Sequence, residues 1–283
     1  MMKLFRKYTP TKFILAAMTT AAISLVMQTG ITSQANAQAG IFEVVHPDVT
    51  KDEIEIEVLN GFGLSNVEEG DERSAHEFAI GYGLTDFWKF TVAVEVANPR
   101  GESPEIEGFE FENLLLLPFF GDHDHGHDKD EKESAADEDD EHGEFSLGLF
   151  TALEIPREGG ISEGALEVGP VFEAGLGPFD WVGNLLVEIP FESGEDAGLA
   201  YASQVIFPVS DSVGIGFENF GEFEGLFGGG NEQEHLAGPA IYYEYELPNG
   251  HVLEPRAAVL FGLNDESSDA VLSFNIEYKF GAK

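Results

Sequence analysis

Residues 78–96 read FAIGYGLTDFWKFTVAVEV. Phe78, Ile80, Tyr82 and Leu84 put an apolar or aromatic side chain at every second position, with Ala79, Gly81 and Gly83 between them. After Thr85-Asp86 the alternation resumes as Trp88, Phe90, Val92, Val94 and Val96, interleaved with Lys89, Thr91, Ala93 and Glu95. Successive side chains of a strand point to opposite faces, so this pattern predicts two β-strands joined by a tight turn. One face suits an apolar neighbour, and the other carries small and charged groups.

The same rhythm extends in both directions. Residues 145–155 alternate Phe145, Leu147, Leu149, Leu153 and Ile155 with Ser146, Gly148, Ala152 and Glu154. The last segment sets Leu272, Phe274, Ile276, Tyr278 and Phe280 against Ser273, Asn275, Glu277 and Lys279. Such segments lie near 52–63, 75–85, 87–97, 105–118, 144–156, 163–176, 179–191, 198–208, 213–223, 236–246, 251–263 and 269–280. An even number of strands of about ten residues, about twelve here, fits a transmembrane antiparallel β-barrel, all-β and of outer-membrane type. A soluble β-sandwich also alternates, but it turns polar residues outward to water. Here the faces opposite the apolar ones hold Gly, Ala and acids, as a wet lumen would.

The N-terminus supports a membrane destination. Lys3, Arg6, Lys7 and Lys12 precede an apolar run, Phe13 to Met27, and small residues ending in Ala35-Asn36-Ala37. This is the layout of a secretory signal peptide, residues 1–37, and the run is short of the ~20 residues of a spanning helix. Residues 38–51 then form a periplasmic N-terminal segment, and 52–283 the barrel, interrupted by a disordered His/Asp/Glu-rich loop, 119–143. The expected location is the outer membrane of a Gram-negative bacterium, with its lipid as the surrounding partner.

Link lengths add an independent test, because outer-membrane barrels alternate short periplasmic turns with longer extracellular loops. Links at Thr85-Asp86, Gly177-Pro178, Val209 to Ser212 and Leu247 to Gly250 are short, and the intervening ones are longer and polar. By this parity loop 119–143 falls on the periplasmic side, although it is the longest. A further strand within Gly40 to His46 would move it outside.

The chain of 283 residues has no Cys, 33 Gly and 24 Phe, and carries 53 Asp plus Glu against 14 Lys plus Arg. Losing the signal removes four basic residues and no acidic one, leaving a charge of −43. So acidic a surface repels phosphate backbones, which excludes nucleic acid as a partner. Without Cys there is no thiolate nucleophile and no Cys-based metal centre.

The stretch GYGLTDFWKFTVAVEV resembles a recurring element of proteobacterial outer-membrane barrels, the group labelled MetA-pathway phenol-degradation or transporter-like proteins. That resemblance implies passive movement of small molecules across the outer membrane, uptake of small aromatic compounds among them. Tyr278-Lys279-Phe280 is similar to the aromatic-x-aromatic signal read by the barrel-insertion machinery, with Tyr278 and Phe280 as its contacts, although Gly281-Ala282-Lys283 follows here.

With the apolar faces on lipid, the lumen holds Glu77, Glu95, Glu110, Glu112, Glu154, Glu167, Glu173, Glu188, Glu218, Glu244 and Glu277, with Asp180 and Glu254 in the same phase. Only Lys89, Arg256 and Lys279 oppose them. Carboxylate rings favour cations, because a field replaces lost hydration. Loop residues 121–144 read GDHDHGHDKDEKESAADEDDEHGE. His123, His125, His127 and His142, with Asp122, Asp124 and Asp128, are ligands suited to loosely bound Zn, Ni, Cu or Co. No cofactor is required. A hydrolase is not expected, because His46, His76, His235 and His251 lack a serine-histidine context.

The sequence thus points to a barrel for passive passage of small solutes, cation-preferring, with a loop that binds divalent transition metals. The alternative is a non-conducting structural barrel whose loop buffers metal or recruits a periplasmic metal carrier. Passage of aromatic compounds would need an apolar path, which an acidic interior disfavours.

Overall fold

All twelve segments expected from the alternation form strands. The computed structural model describes residues 40–64, 72–99, 101, 103–117, 145–225 and 233–281. The strands are β1 (Ile54–Gly63), β2 (Glu72–Thr85), β3 (Trp88–Pro99), β4 (Glu105–Leu116), β5 (Phe145–Pro156), β6 (Ala165–Leu176), β7 (Phe179–Pro190), β8 (Gly198–Ser210), β9 (Val213–Phe223) and β10 (Gln233–Tyr243). After a two-residue β11 (Tyr245–Glu246) come β12 (Val252–Gly262) and β13 (Ala270–Phe280). Sequence neighbours pair antiparallel, β1 pairs with β13, and β10 pairs with β12. The sheet therefore closes on itself with twelve staves and no free edge.

The strand expected at 236–246 sits at 233–243 instead. At Glu244 the amide donates to the Ser212 carbonyl, 3.0 Å away, so the ladder to β12 stops there and resumes only as β11.

One end of the barrel, the turn end, carries the tight links Asp86-Phe87, Gly177-Pro178 and Asp211-Ser212. Gly177 has φ 69°, a left-handed conformation that a side chain would strain. β4 finishes and β5 starts at this same end; residues 119–143, between them, lie outside the described residues. The opposite loop end holds the longer links, one of them with a 3-10 turn at Gly160–Ser162.

Outward faces are apolar around the ring. Ile80, Ile215, Ile241 and Phe261 remain 50–56% exposed, a band that water would disfavour and lipid accommodates. Near the turn end, His251, Tyr278 and Phe280 pack edge to face, and Tyr243 stacks on Tyr245. Aromatic girdles occupy this position on barrels at the membrane interface.

The inward faces are not only small and acidic. Leu114, Leu116, Phe150 and Val171 form one buried cluster with Val49, and Val182, Phe220, Leu236, Leu260 and Val271 form another with Val44. Residues 40–51 run through the barrel interior and cover these side chains. Val44 and Val49 are each 6% exposed, a burial that contributes about 1.5–3 kcal/mol per valine.

Candidate functional site

The internal segment is held by polar groups from strands across the ring. The Phe42 carbonyl accepts from Arg256 Nη1 at 3.2 Å and from Asn275 Nδ2 at 3.0 Å. Asn184 mimics a strand for Val45, accepting its N–H at Oδ1 and donating Nδ2 to its carbonyl, both at 2.8 Å. His46 contacts the Gln204 amide through Nε2, and its Nδ1 lies 3.5 Å from Glu173. The wall leaves room by omitting side chains. A Cβ on Gly61 or Gly83 would fall 2.0 Å from the Gly40 carbonyl oxygen or 1.9 Å from that of Thr50.

Charge is sorted along the barrel axis. In the half nearer the turn end, Lys89 Nζ lies 2.8 Å from Glu55, and Lys279 Nζ lies 2.8 Å from both Glu254 and Glu277. Arg256 Nε is 2.8 Å from Glu218 Oε1, which also accepts from Tyr242 Oη at 2.7 Å. Buried ions persist when paired in this way.

Toward the loop end Arg157 sits at the rim, paired with Glu105 and Glu158, and among the described residues no cation faces the interior while the acids continue. Glu77 faces Glu95 across β2 and β3, Glu110 faces Glu154, Glu167 faces Glu188, and Glu222 faces Glu234. Carboxyls directly opposite on neighbouring strands repel one another when ionised. A cavity of about 260 Å³ lies among them, with Ile41, Phe42, Glu43 and Val45 of the internal segment as its floor. Eight glutamates line it (Glu43, Glu77, Glu95, Glu110, Glu154, Glu167, Glu222 and Glu234) and, among the described residues, no Lys or Arg does. It is an acidic vestibule closed on one side by the chain's own segment.

Of the lumen positions read from the sequence, Glu77, Glu95, Glu110, Glu154 and Glu167 line this cavity, and Glu188 stands opposite Glu167. Glu112, Glu173, Glu218 and Glu277 point inward closer to the turn end, where the cations are. Glu244 does not belong to the lumen set: it follows β10, is exposed, and sits at the turn-end rim. His123, His125, His127, His142, Asp122, Asp124 and Asp128 lie outside the described residues. Sequence reasoning missed Glu55, Glu57, Glu222 and Glu234, although Ile54-Glu55-Ile56-Glu57-Val58 displays the required alternation. It also missed Glu43, which no strand pattern could have placed.

Three carboxyls outside the strands are pushed above the ordinary carboxylate range, each mainly by burial. For Glu43 the nearby Glu55 adds to the rise, while Lys89, Arg256 and His46 oppose it. For Glu53, Lys279 and Lys89 oppose the rise, and Asp48 and Glu55 add to it. For Glu244 the neighbouring Glu254 adds to it.

The fold and the sorted charge define a closed twelve-stave barrel with an acidic chamber. No protein-family model and no curated protein matches the chain. Among solved structures it is similar to the KdgM porin in complex with disordered oligogalacturonate, at 11% identity over 81% of this chain and 99% of that one, with a TM-score of 0.49. It is also similar to an outer-membrane channel from Pseudomonas putida F1, at 10% identity over 88% of this chain and 99% of that one, with a TM-score of 0.49.

Proposed function

We propose that this chain is an outer-membrane pore of a Gram-negative bacterium that passes small solutes passively and prefers cations. The observation that carries this reading is the axial sorting of charge. Uncompensated carboxylates surround the vestibule, whereas Lys89, Arg256 and Lys279 are neutralised by ion pairs nearer the turn end. A field of one sign in a low-dielectric channel raises the local concentration of cations and repels anions. Phenolate-like aromatic anions are disfavoured by the same field. The internal segment 40–51 sets the width of the path.

Loop 119–143 adds a second element, in which His123, His125, His127 and His142 with Asp122, Asp124 and Asp128 collect Zn, Ni, Cu or Co at the turn-end mouth. The barrel is delivered by the insertion machinery through Tyr278 and Phe280.

The test is conductance of the purified, folded protein in a planar bilayer under a salt gradient. A reversal potential of the sign set by cations supports the reading; anion selectivity overturns it. Absence of current, also in a variant lacking residues 40–51, favours the non-conducting barrel. For the loop, zinc or nickel calorimetry is compared between wild type and a variant with all four loop histidines changed to Ala. Identical titrations remove the metal claim.

A further inference from the structure

We propose that Glu77, Glu95 and Glu110 form a defined binding site for a hard divalent cation of calcium size inside the vestibule. One carboxylate oxygen from each of the three can be chosen so that all lie within 4.8 Å of one another. Calcium binds oxygen ligands at 2.3–2.6 Å, so two ligands on one ion stand at most about 5 Å apart. Magnesium, with bonds near 2.0–2.1 Å, would require the three to close further. An all-oxygen set without His or Cys also disfavours the softer transition metals assigned to the loop.

A second observation is independent of the clustering. Glu77 is 5% exposed and Glu110 9% exposed, both line the cavity, and neither forms a hydrogen bond or an ion pair with any described residue. Buried carboxylates persist as ions when a cation or hydrogen-bond donors compensate them. Among the described residues the fold supplies neither here, although it pairs Glu55, Glu218, Glu254 and Glu277.

Strand register explains how the three converge. Glu77 and Glu95 are direct cross-strand partners. Between β3 and β4 the register slips: Glu95 pairs with Gly108 but Val96 with Ile106, leaving Glu107 as an extra residue. The bulge puts a residue without a side chain beside Glu95, so Glu110, two positions along β4, reaches it diagonally. Bulges of this kind re-aim side chains at functional positions. The open side of the cluster is the cavity that Glu77, Glu95 and Glu110 line.

The inference rests on ions reaching the vestibule, as the pore reading requires, but its test does not depend on current. The folded full-length protein in detergent micelles is titrated with calcium chloride, by calorimetry and by thermal unfolding, with all four loop histidines intact. Wild type is expected to show a saturable site and a melting temperature that rises with calcium. Glu95→Gln and Glu77→Gln should each weaken that site at least tenfold, while Glu222→Gln, which removes a charge from the same cavity but no ligand, should weaken it far less. Each of the two site variants should melt higher than wild type without calcium, since a repulsive charge is gone, and rise no further when calcium is added; this separates loss of the site from failure to fold. Equal calcium affinity in wild type and Glu95→Gln, or an equal loss in Glu222→Gln, overturns the site. A barrel that carries cation-selective current without saturable calcium binding sinks this inference alone, and one that binds calcium without current sinks only the pore.

Discussion

Arg256 and Glu218 meet inside the barrel from strands that are not neighbours, Nε 2.8 Å from Oε1, with the Glu218 side chain fully withdrawn from solvent. The same guanidinium donates Nη2 to Ser273 Oγ at 2.9 Å and Nη1 to the Phe42 carbonyl. One side chain thus neutralises a buried acid, ties β12 to β13 and holds the internal segment. The contact with Glu218 is a meeting of charges more than an aligned hydrogen bond, because the Nε hydrogen does not point at the oxygen.

Arg256→Met should therefore do two things at once. Leaving Glu218 buried without its partner costs about 3–5 kcal/mol, to be read from urea unfolding of the lipid-reconstituted barrel. Losing one of the two donors to the Phe42 carbonyl should also loosen the segment and raise single-channel conductance. Adding Glu218→Gln should recover much of the stability while conductance stays high, since only the first effect depends on the orphaned acid. A double variant as unstable as Arg256→Met would mean that the pair is not the main loss.

Asn184 gives a cleaner test of the segment, because it acts on the Val45 backbone through both ends of its amide. Asn184→Asp keeps the acceptor but presents a second oxygen to the Val45 carbonyl. Losing one buried hydrogen bond and leaving its partner unsatisfied costs about 1–3 kcal/mol. Limited proteolysis in liposomes should then cut within 40–51 faster than in wild type, with the barrel itself intact. Unchanged cutting would show that the segment is held elsewhere.

The staves were legible because a barrel in lipid demands apolar residues on one face with period 2, and Trp88 to Val96 and Leu272 to Phe280 obey it without interruption. The same rule failed at Leu114-Leu115-Leu116-Leu117, where both faces are apolar and no alternation survives. That failure concealed the inward cluster, and with it the reason for the internal segment. Ile41 to Val49 carries no periodic signal of its own, and its partners, Asn184, Gln204, Arg256 and Asn275, lie 139 to 233 residues away in sequence. Contacts of that kind are made by closure of the ring and leave no local trace. The acids of the vestibule could be read one strand at a time. Their separation from the three cations could not, because it follows from register around the whole sheet.

Gly83 tests the fit of the segment to the wall. Its missing Cβ is replaced by the Thr50 carbonyl oxygen, and its amide donates to Glu53 at 3.0 Å while its carbonyl accepts from Asp52 at 2.8 Å. Gly83→Val must displace Thr50, whereas Gly81→Ala, whose nearest neighbour would be the Thr91 hydroxyl at 3.2 Å, needs only a small shift. The first variant should raise conductance and proteolysis of 40–51 together, and the second should leave both near wild type. Equal behaviour of the two would mean that the close approach at Gly83 does not hold the segment.

On the pore reading, the pH dependence of conductance should be set in part by Glu43, which sits on the segment itself. With the segment docked, burial raises the carboxyl above its ordinary value, helped by Glu55 and opposed by Lys89, Arg256 and His46. Glu57, Glu77 and Glu112 face it as well. Once the segment leaves the barrel, the group returns to the ordinary range near 4.5. The docked state therefore binds the proton more tightly. This contribution to docking is fully present below the undocked value and is lost as pH rises through the raised one. Acidification should seat the segment and reduce conductance, and raising the pH should loosen it. Glu43→Gln mimics the protonated form at every pH, so it should hold conductance at the low-pH level and flatten the profile across this window. The strand glutamates titrate in both proteins, and the difference between the two profiles isolates Glu43. Conductance of Glu43→Gln that follows pH as steeply as wild type would place the dependence on the wall and not on the segment.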